Sequence, residues 1–398
     1  MQHNYNYPQH SGDKSQTIIR HAELFYRAPL YSYTHSFILT LQGPEPIQTR
    51  LLTKALHLLS ILGEGAIYFA VFLLIYNWYS RGRAFYYLLF VSTLLTIQNV
   101  GKIGYHEPRP YMVFSDIQTV GCSYEYGQPS GHSLFSAGFA VFIFLDFFGG
   151  AKVSIAYVCG LIGSCAFFLC MGFARIYQGV HSIDQVLYGW QMGIWGALYF
   201  HFCLKDAIIS HIDSGELTAK SALLATAIFA LAIASQIAAY FYVDYNFQIP
   251  TLWIENLELK CSPQPLYKTF HYKSLIQAGM TPAAYTAYLG FIWKQKLFQG
   301  QSVNLQTDIG RYFLRIIVIG SLCLPFGLLY VLVPWSLGSI WLLLLLKTLL
   351  PCLGSMLLVF TFSDYLFIKL NLVRKRGKNL TVQEGDYDEP LLGEKIDD

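Results

Sequence analysis

The sequence contains few charged residues. Only 13% of its 398 residues are Asp, Glu, Lys or Arg, against roughly 25% in an ordinary soluble domain. The formal net charge of +3 is too small and too scattered to favour nucleic acid as a partner. Residues 1–50 are polar and interrupted by charges, so we expect no cleavable signal peptide there.

The chain is instead rich in long apolar runs. Hydrophobic residues make up 54% of it, and uncharged runs recur from about residue 55 to residue 370. This pattern predicts an all-α, polytopic membrane bundle of about nine transmembrane helices. The predicted spans are 57–78, 84–101, 132–148, 153–173, 184–204, 221–243, 274–293, 313–333 and 340–369. In the last span we expect a kink at Pro351 and an interior position or a partner for Lys347.

The segment 274–293 decides the predicted orientation. It has no charge but contains Gln277, Thr281 and Pro282, so an amphipathic helix lying on the membrane or over a functional site is the alternative. If it crosses, the basic loops and the basic run at 374–376 share one membrane face, which the positive-inside rule makes cytosolic. We therefore predict nine spans and a cytosolic C-terminus.

These spans divide the chain into four predicted regions. A polar, lumenal N-terminal segment covers 1–56, and a core with the chemistry-bearing residues covers 57–205, within spans two to five. Further transmembrane helices follow at 206–370, with a lumenal loop at 244–273. The tail at 371–398 is basic, then acidic, and is predicted to be disordered. The oligomeric state stays open.

The remaining polar residues form three blocks. They are Lys102 with Arg109-Pro110 after six intervening residues, Pro129-Ser130-Gly131-His132, and Arg175 with His181 after five intervening residues. Two predicted crossings separate the second block from the third, so all three reach the same face, predicted to be lumenal or extracellular. Charge is costly in so apolar a chain, and its concentration here indicates function.

The blocks have the chemistry of a phosphate site. Gly131 allows close backbone approach, and the free amides at the start of the helix that follows it can bind an anion. Ser130 adds a hydroxyl, while Lys102, Arg109 and Arg175 supply fixed positive charge. Simpler explanations exist for each element alone, because span-end cations often extend to lipid headgroups. Their order, spacing and common face favour catalysis.

Two histidines complete this set. An imidazole is a nucleophile in its neutral form and a proton donor in its charged form, so if one of the two attacks phosphorus, the other should protonate the departing oxygen. No His, Asp and Glu grouping at metal-ligand spacing accompanies them. We therefore predict a metal-independent reaction without a cofactor, with charge neutralised by side chains and backbone amides.

The three blocks resemble the signature of the type 2 phosphatidic-acid phosphatase and haloperoxidase superfamily. The resemblance covers about residues 57–205. It implies a helical bundle in which His181 is the nucleophile, forming a phospho-histidine, and His132 is the general acid. It also implies that the residues holding the phosphate are Lys102, Arg109, Ser130, Gly131 and Arg175.

Two positions depart from the family pattern. Members commonly have serine before the third-block arginine, where this chain has Ala174, and aspartate four residues after the nucleophile, where it has Gln185. Gln185 is a possible orienter of His181, because its carbonyl can accept the far imidazole N–H with less electrostatic help than a carboxylate. Glucose-6-phosphatase and dolichyl-diphosphate phosphatase look similar at that position. We expect activity, either slower or shifted in pH.

The resemblance also bears on substrate and location. Residues 125–130 and 175–183 are similar to the sphingosine-1-phosphate phosphatases, which implies a sphingoid-base phosphate or similar lipid monoester held in the bilayer. The nine-span layout resembles glucose-6-phosphatase. Activities like those of glucose-6-phosphatase or dolichyl-diphosphate phosphatase are the alternatives. The endoplasmic reticulum or another endomembrane, with a lumenal site, is the expected location.

Two cysteines stand apart from the other six, which lie in apolar runs. Cys122 and Cys261 fall in loops on the predicted lumenal face, where the compartment is oxidising. A disulfide between them would tie the 244–273 loop over the site. Two unpaired loop thiols are the alternative.

Two rival classes remain. One is a catalytically silent membrane protein that serves as a binding or scaffold protein, but every cation and imidazole of the three blocks is present. The other is a transporter, because Glu64, Asp146 and Lys347 lie in or beside apolar runs. The sequence shows no internal repeat of the kind many transporters have.

Overall fold

The structure is a computed structural model. It describes residues 33–215, 217–261, 272–298, 303–305, 309–334, 337 and 339–375. The predictions for the polar N-terminal segment up to residue 32, and for the tail from residue 376 onward, lie outside these residues.

The described chain is helical almost throughout, which confirms the predicted fold class. Its helices are α1 at 33–42, α2 Leu51–Ile61, α3 Gly65–Trp78, α4 Arg81–Tyr105, α5 Pro110–Val113, α6 Gly131–Phe148, α7 Ile155–Tyr177, α8 Ile183–Tyr199, α9 Lys205–Asp213, α10 Ala219–Asn246, α11 Thr251–Lys260, α12 Tyr272–Gln277, α13 Ala283–Phe298, α14 Ile309–Leu332, α15 Ile340–Leu343 and α16 Leu350–Lys369. Two short strands, β1 Val303–Asn304 and β2 Arg374–Lys375, pair antiparallel.

Six helical segments within the described residues are long and apolar enough to cross a membrane. They are Arg81–Val113, Gly131–Phe148, Ile155–Tyr177, Ala219–Asn246, Ile309–Leu332 and Ile340–Lys369. The chain is therefore an integral membrane protein, and six of the predicted spans correspond to these segments. The count of nine is not confirmed and stays a prediction.

The other three predicted spans differ in form. The prediction of one continuous helix over 57–78 is wrong, because α2 ends at Ile61 and α3 begins at Gly65. The helix predicted over 184–204 is longer than expected: α8 passes through a π-helical turn at Phe200–Leu204 into α9.

The segment 274–293 is also interrupted. A 3₁₀ turn at Ala278–Met280 separates α12 from α13. Gly279 lies in this turn, and a Cβ there would lie 2.2 Å from Thr348 Oγ1, so close packing against the last helical segment requires glycine at this position. Pro282, just before α13, suits a helix start.

The last predicted span has its irregularity just before Pro351. A π-helical turn occupies Leu344–Leu349 and contains Lys347. Lys347 is buried and donates hydrogen bonds of 2.8 Å each to the carbonyls of Tyr330 and Val333, near the end of α14. This agrees with the expectation that the lysine takes an interior position or finds a partner.

Close packing of α6 against α8 forms the centre of the core. A Cβ on Gly193 would lie 2.3 Å from the carbonyl oxygen of Leu134, so only glycine lets the two backbones approach this closely. On its other side, Phe142 of α6 stacks on Phe90 of α4, with 4.0 Å between ring centroids. This packing fixes where the first turns of α6 and α8 begin, and both carry site residues.

A buried ionic cluster joins α4 to the later helices. Arg81 Nη2 lies 2.6 Å from Asp364 Oδ1 on α16, and Lys294 on α13 contacts the other oxygen of the same carboxylate. A second cluster joins Arg83 and Lys205 to Asp146, at 2.7 and 3.0 Å. These carboxylates neutralise cations inside the bundle, which gives Asp146 a structural partner in place of a transport role.

The first cluster generates a stability prediction. Asp364→Ala leaves buried Arg81 and partly buried Lys294 without their counter-ion, and breaking a buried ion pair in this way costs about 3–5 kcal/mol. We expect a clearly lower melting temperature for the detergent-purified variant. Asp206→Ala, which removes an exposed carboxylate on α9, should melt like the wild type. Equal melting temperatures for all three proteins would contradict the structural role.

A disulfide joins Cys122 and Cys261. It ties the loop before the second block to the end of α11, a helix inside the segment predicted as the 244–273 loop. Beside it, Lys260 Nζ donates hydrogen bonds of 2.9 and 2.6 Å to the carbonyls of Tyr111 and Phe114 around α5. The disulfide and the lysine together hold α11 against α5.

This pairing predicts a labelling pattern. In unreduced membranes a thiol-alkylating reagent should modify neither Cys122 nor Cys261, and both should become labelled after reduction and denaturation. Mass spectrometry of unreduced peptides should show the two segments linked. Alkylation of both thiols before reduction would show that the bond does not form.

Candidate active site

The three blocks meet at one end of the bundle. Arg109 of the first block places Nη1 3.0 Å from Nε2 of His181 in the third. The backbone N–H of Ser130 in the second block donates to the carbonyl of Gln185, one turn beyond His181, at 3.1 Å. The three blocks therefore lie together in the described structure, and the membrane face that they share stays a prediction.

Local structure at the helix ends places these residues. Lys102 is in the last turn of α4, and Arg109 immediately precedes Pro110, the first residue of α5. After α7, the chain turns at Gly179 with φ of +70°, and a Cβ there would lie 2.4 Å from the carbonyl oxygen of Gln118. This turn lets His181 fold back beside the end of α7, where Arg175 lies.

A hydrogen-bond chain fixes the orientation of His181. Gln185 Nε2 donates to the carbonyl of Pro108 at 2.8 Å, which turns Oε1 toward the imidazole. That oxygen accepts the Nδ1–H of His181 at 3.1 Å and the backbone N–H of Ser182 at 3.3 Å. Because Nδ1 carries the proton, Nε2 keeps its lone pair, and the donor Arg109 Nη1 faces it.

The glutamine thus performs the orienting contact expected of it. The loop bearing Gly127 lies directly over this amide, since a Cβ there would come within 2.4 Å of Gln185 Oε1. A carboxylate at the same position would add negative charge beside the imidazole, which the neutral amide does not. The tautomer of His181 is therefore set by the hydrogen bond to Gln185 Oε1, without help from a negative charge.

Glu125 holds the cations of the first block in place. Its Oε1 lies 2.7 Å from Lys102 Nζ and 3.0 Å from Arg109 Nη2, and its backbone carbonyl accepts from Arg109 Nε at 3.0 Å. Arg109 also donates to the carbonyl of Val180 at 3.2 Å. With the guanidinium bound on several sides, its position next to His181 is rigid.

The electrostatics follow from this concentration of charge. Burial alone would raise the pKa of the Glu125 carboxyl, but Lys102, Lys273 and Arg109 outweigh it and hold that pKa well below its usual range. Burial lowers the pKa of His181, and the nearby arginines and Lys102 lower it further, well below the usual value. Glu125 is therefore ionised and His181 neutral at neutral pH, the form in which an imidazole can attack.

The start of α6 provides the anion-binding backbone. Ser130 is the N-cap, but its side chain makes no capping hydrogen bond, and its hydroxyl instead accepts from Ser133 at 2.9 Å. The first amides of α6 are thus left uncapped by that side chain, as an anion site requires. Gly131 is pressed against buried Gln98, whose Oε1 would lie 2.4 Å from a Cβ.

Arg175 and His132 form the other side of the site. Arg175 Nη1 donates to Gln178 Oε1 at 3.1 Å. Nε2 of His132 lies 3.5 Å from Glu64 Oε1. Ala174 faces away from this site, because it belongs to an apolar cluster with Ile47, Leu56 and Tyr177.

Three charged residues of this site were absent from the predicted site. They are Glu125, which pairs with the first-block cations; Lys273 of α12, whose Nζ lies 4.0 Å from Glu125 Oε1; and Glu64, which pairs with His132. Glu125 could have been predicted from the sequence, because a dense cluster of cations needs a counter-ion. Glu64 stands out in the sequence as a charge beside an apolar run, but that pattern does not indicate its partner. Lys273 lies far along the chain, and no local pattern predicts it.

Among the residues that the structure describes, no group of three or more His, Cys, Asp or Glu side chains is arranged to hold a metal ion. The metal-independence of the reaction stays a prediction.

Comparison with known proteins points to one family. The model of the PAP2 superfamily matches residues 82–209, which include all three blocks. A dolichyldiphosphatase from Saccharomyces cerevisiae is 31% identical over 105 residues, which is 26% of this chain and 44% of that protein. The chain thus aligns with less than half the length of this curated relative. No solved structure matches it.

The matched region spans α4 to α9, so it contains Lys102, Arg109, His132, Arg175 and His181 together with the helices that carry them. The assignment made from the three blocks is therefore confirmed: residues 82–209 of this integral membrane protein are a PAP2 superfamily domain.

Proposed function

We propose that this protein is a membrane phosphatase that hydrolyses a lipid phosphate monoester through a phospho-histidine at His181. The observation that carries the proposal is the 3.0 Å contact between Arg109 Nη1 and His181 Nε2. In this contact the guanidinium of Arg109, which can bind phosphate oxygens, lies beside the Nε2 lone pair of His181, which can attack phosphorus. The PAP2 domain and its dolichyldiphosphatase relative support the same class of reaction.

In the first step, the phosphate enters as a dianion and takes over the donors that face His181. Lys102, Arg109 and Arg175, with the amides of Gly131 and its neighbours, bind its oxygens. The Nε2 lone pair then forms a bond to phosphorus while the bond from phosphorus to the alcohol oxygen breaks. Fixed cations offset the charge that spreads over the phosphoryl oxygens.

The second histidine moves the proton. His132 as imidazolium donates a proton to the departing alcohol oxygen, which leaves as a neutral alcohol. In its neutral form it then takes a proton from water as that water attacks phosphorus and breaks the phosphorus–nitrogen bond. Orthophosphate is released, and both imidazoles return to their starting forms.

A groove next to the site supports a lipid substrate. It has a volume of about 340 Å³ and lies between α3, α6 and α7. Its lining is Leu62, Ile67, Tyr68, Val71, Phe139, Ala140, Ile143, Gly163, Ser164 and Phe167. Leu62 lies two residues before Glu64, and Phe139 lies about 10 Å along α6 from His132 at 1.5 Å per residue. An alkyl tail in this groove would lead to a phosphate at the histidines.

Among lipid monoesters, a sphingoid-base phosphate is our first choice. The resemblance of residues 125–130 and 175–183 to the sphingosine-1-phosphate phosphatases supports it. A groove with two hydroxyl-bearing side chains, Tyr68 and Ser164, in an apolar lining also suits a tail with polar groups near its head.

A dolichyl diphosphate is the second candidate. The yeast relative is a dolichyldiphosphatase by name. In this chain, the additional cation Lys273 lies beyond Glu125 and remains partly exposed, so it is placed to bind a second phosphate group. A soluble sugar phosphate makes no use of the apolar groove.

The disulfide supports a proposal for the location. We propose that the site faces the lumen of the endoplasmic reticulum or another endomembrane compartment and that the C-terminus is cytosolic. The Cys122–Cys261 bond lies on the side of the bundle that carries the site and needs an oxidising compartment. The positive-inside pattern gives the same orientation.

The central experiment measures orthophosphate release by detergent-purified protein in EDTA. The substrates are a sphingoid-base phosphate, phosphatidate, dolichyl diphosphate and glucose 6-phosphate. For His181→Ala we expect release to fall by at least about 10³-fold, because no covalent intermediate can form. His57→Ala, at an exposed position on α2, should keep wild-type activity. Brief reaction with a ³²P-labelled substrate should label the wild type on histidine and leave His181→Ala unlabelled.

Each other outcome has a definite meaning. Preference for dolichyl diphosphate would favour the second candidate, and preference for glucose 6-phosphate would remove the lipid assignment. Loss of all release in EDTA, restored by a divalent cation, would contradict metal-independence. Folded wild-type protein that hydrolyses none of the four would make the chain a catalytically silent binding or scaffold protein.

The groove makes a separate prediction. At Gly163 of α7, a Cβ meets nothing within 4 Å, so Gly163→Trp fills the groove without a backbone clash. We expect its KM for a long-chain lipid phosphate to rise about tenfold, which corresponds to about 1.4 kcal/mol of lost binding, with little change for a short-chain phosphate. Leu169→Trp, at an exposed position of the same helix that does not line the groove, is the control. An unchanged KM in Gly163→Trp would exclude the groove as the tail site.

A further inference from the structure

The break between α2 and α3 lies against His132. Gly63 is in this break, and a Cβ on it would lie 2.6 Å from His132 Cδ2 and 3.2 Å from Met171 Cε. The next residue, Glu64, is the N-cap of α3 and directs a carboxylate oxygen to 3.5 Å from His132 Nε2. Both residues precede the PAP2 domain, which begins at residue 82.

The charges around His132 are otherwise positive. The titratable and charged groups that face His132 and Glu64 are Arg175 from α7, Lys102 from α4, Lys273 from α12, and His181. Among the described residues, Glu64 carries the carboxylate that lies within 4 Å of a ring nitrogen of His132. The His132 contact lowers the pKa of the Glu64 carboxyl against the opposing effect of burial, so this carboxylate is ionised at neutral pH.

A general acid in this position faces an electrostatic problem. The cations that bind a phosphate dianion also disfavour a proton on the neighbouring imidazole, because like charges repel. Glu125 does not solve it, since that carboxylate is bound by Lys102 and Arg109 on the other side of the site. The Glu64 carboxylate opposes this repulsion, because it lies 3.5 Å from Nε2 of His132.

We propose that Glu64 is a positioning residue that orients His132 and favours its imidazolium form, from which a proton passes to the departing alcohol oxygen. This rests on the proposed phosphatase function and adds a fourth element to the three blocks. An imidazolium carries a proton on each ring nitrogen, so Nε2 can face Glu64 while the other nitrogen donates. When the phosphorus–oxygen bond breaks, the donated proton goes to the alcohol, and water later returns one to His132.

The pair has little to do with the stability of the fold. The Glu64 side chain is 62% exposed and that of His132 21% exposed, and ion pairs so open to solvent contribute little to folding. Substitution of Glu64 should therefore leave the protein folded, which makes the catalytic role directly measurable.

The test compares leaving groups that differ in their need for a proton. Dodecyl phosphate expels an alkoxide and needs a general acid, whereas 4-dodecyl-2-nitrophenyl phosphate has a similar tail and expels a stable phenolate that does not. General acid catalysis contributes about 10²–10⁴-fold. For Glu64→Gln we expect kcat to fall about 10- to 100-fold with dodecyl phosphate and less than about threefold with the nitrophenyl ester.

Two further readouts complete the experiment. The basic limb of the pH profile for dodecyl phosphate should move to lower pH in Glu64→Gln, because the imidazolium has lost its counter-ion. Glu64→Asp should recover part of the activity, and Glu45→Gln, an exposed carboxylate elsewhere on the chain, should behave as wild type.

The outcomes separate the two proposals. Equal losses with both esters, or no loss with either, in a wild-type background that is active and sensitive to His181→Ala, would overturn the role of Glu64 alone. A folded wild type that hydrolyses neither ester, nor any of the four substrates named for the central experiment, would overturn the phosphatase function and the role of Glu64 with it.

Discussion

The structure of the site depends on keeping several cations together in an apolar bundle. Repulsion between Lys102, Arg109 and Arg175 would separate them if nothing opposed it. Glu125 binds two of them directly, and the backbone carbonyls of Glu125 and Val180 take further donors of Arg109. The result is a rigid guanidinium beside a neutral imidazole. A phosphate dianion supplies the negative charge that the cations still lack.

Helix interruptions let the rest of the bundle serve this site. The break between α2 and α3 brings Gly63 and Glu64 onto His132, and the segment from α12 into its 3₁₀ turn brings Lys273 near Glu125. A continuous helix places side chains at fixed intervals along one axis. An interruption of the helix changes the direction of the chain, so that a side chain can contact a neighbouring helix that it would otherwise not reach.

The two ends of the bundle handle charge differently. At the end with Arg81 and Arg83, buried carboxylates neutralise the cations in pairs and join α4 to α13, α16 and α6. At the site end, four cations lie around the buried carboxylate of Glu125 and the exposed one of Glu64. The first arrangement stabilises the fold, and the second leaves a net positive charge for a ligand.

The sequence by itself determined the helical membrane class, the three blocks and the family, because apolar length and residue spacing along the chain carry that information. Only the tertiary structure decided the breaks at 62–64 and 278–280, the amide orientation of Gln185, and the partners Glu125, Glu64 and Lys273. Each of these depends on residues from other parts of the chain: Thr348 leaves no room for a Cβ at position 279, and Glu64 at the start of α3 contacts His132 of α6. Contacts between residues far apart in the chain leave no periodic signal in the sequence.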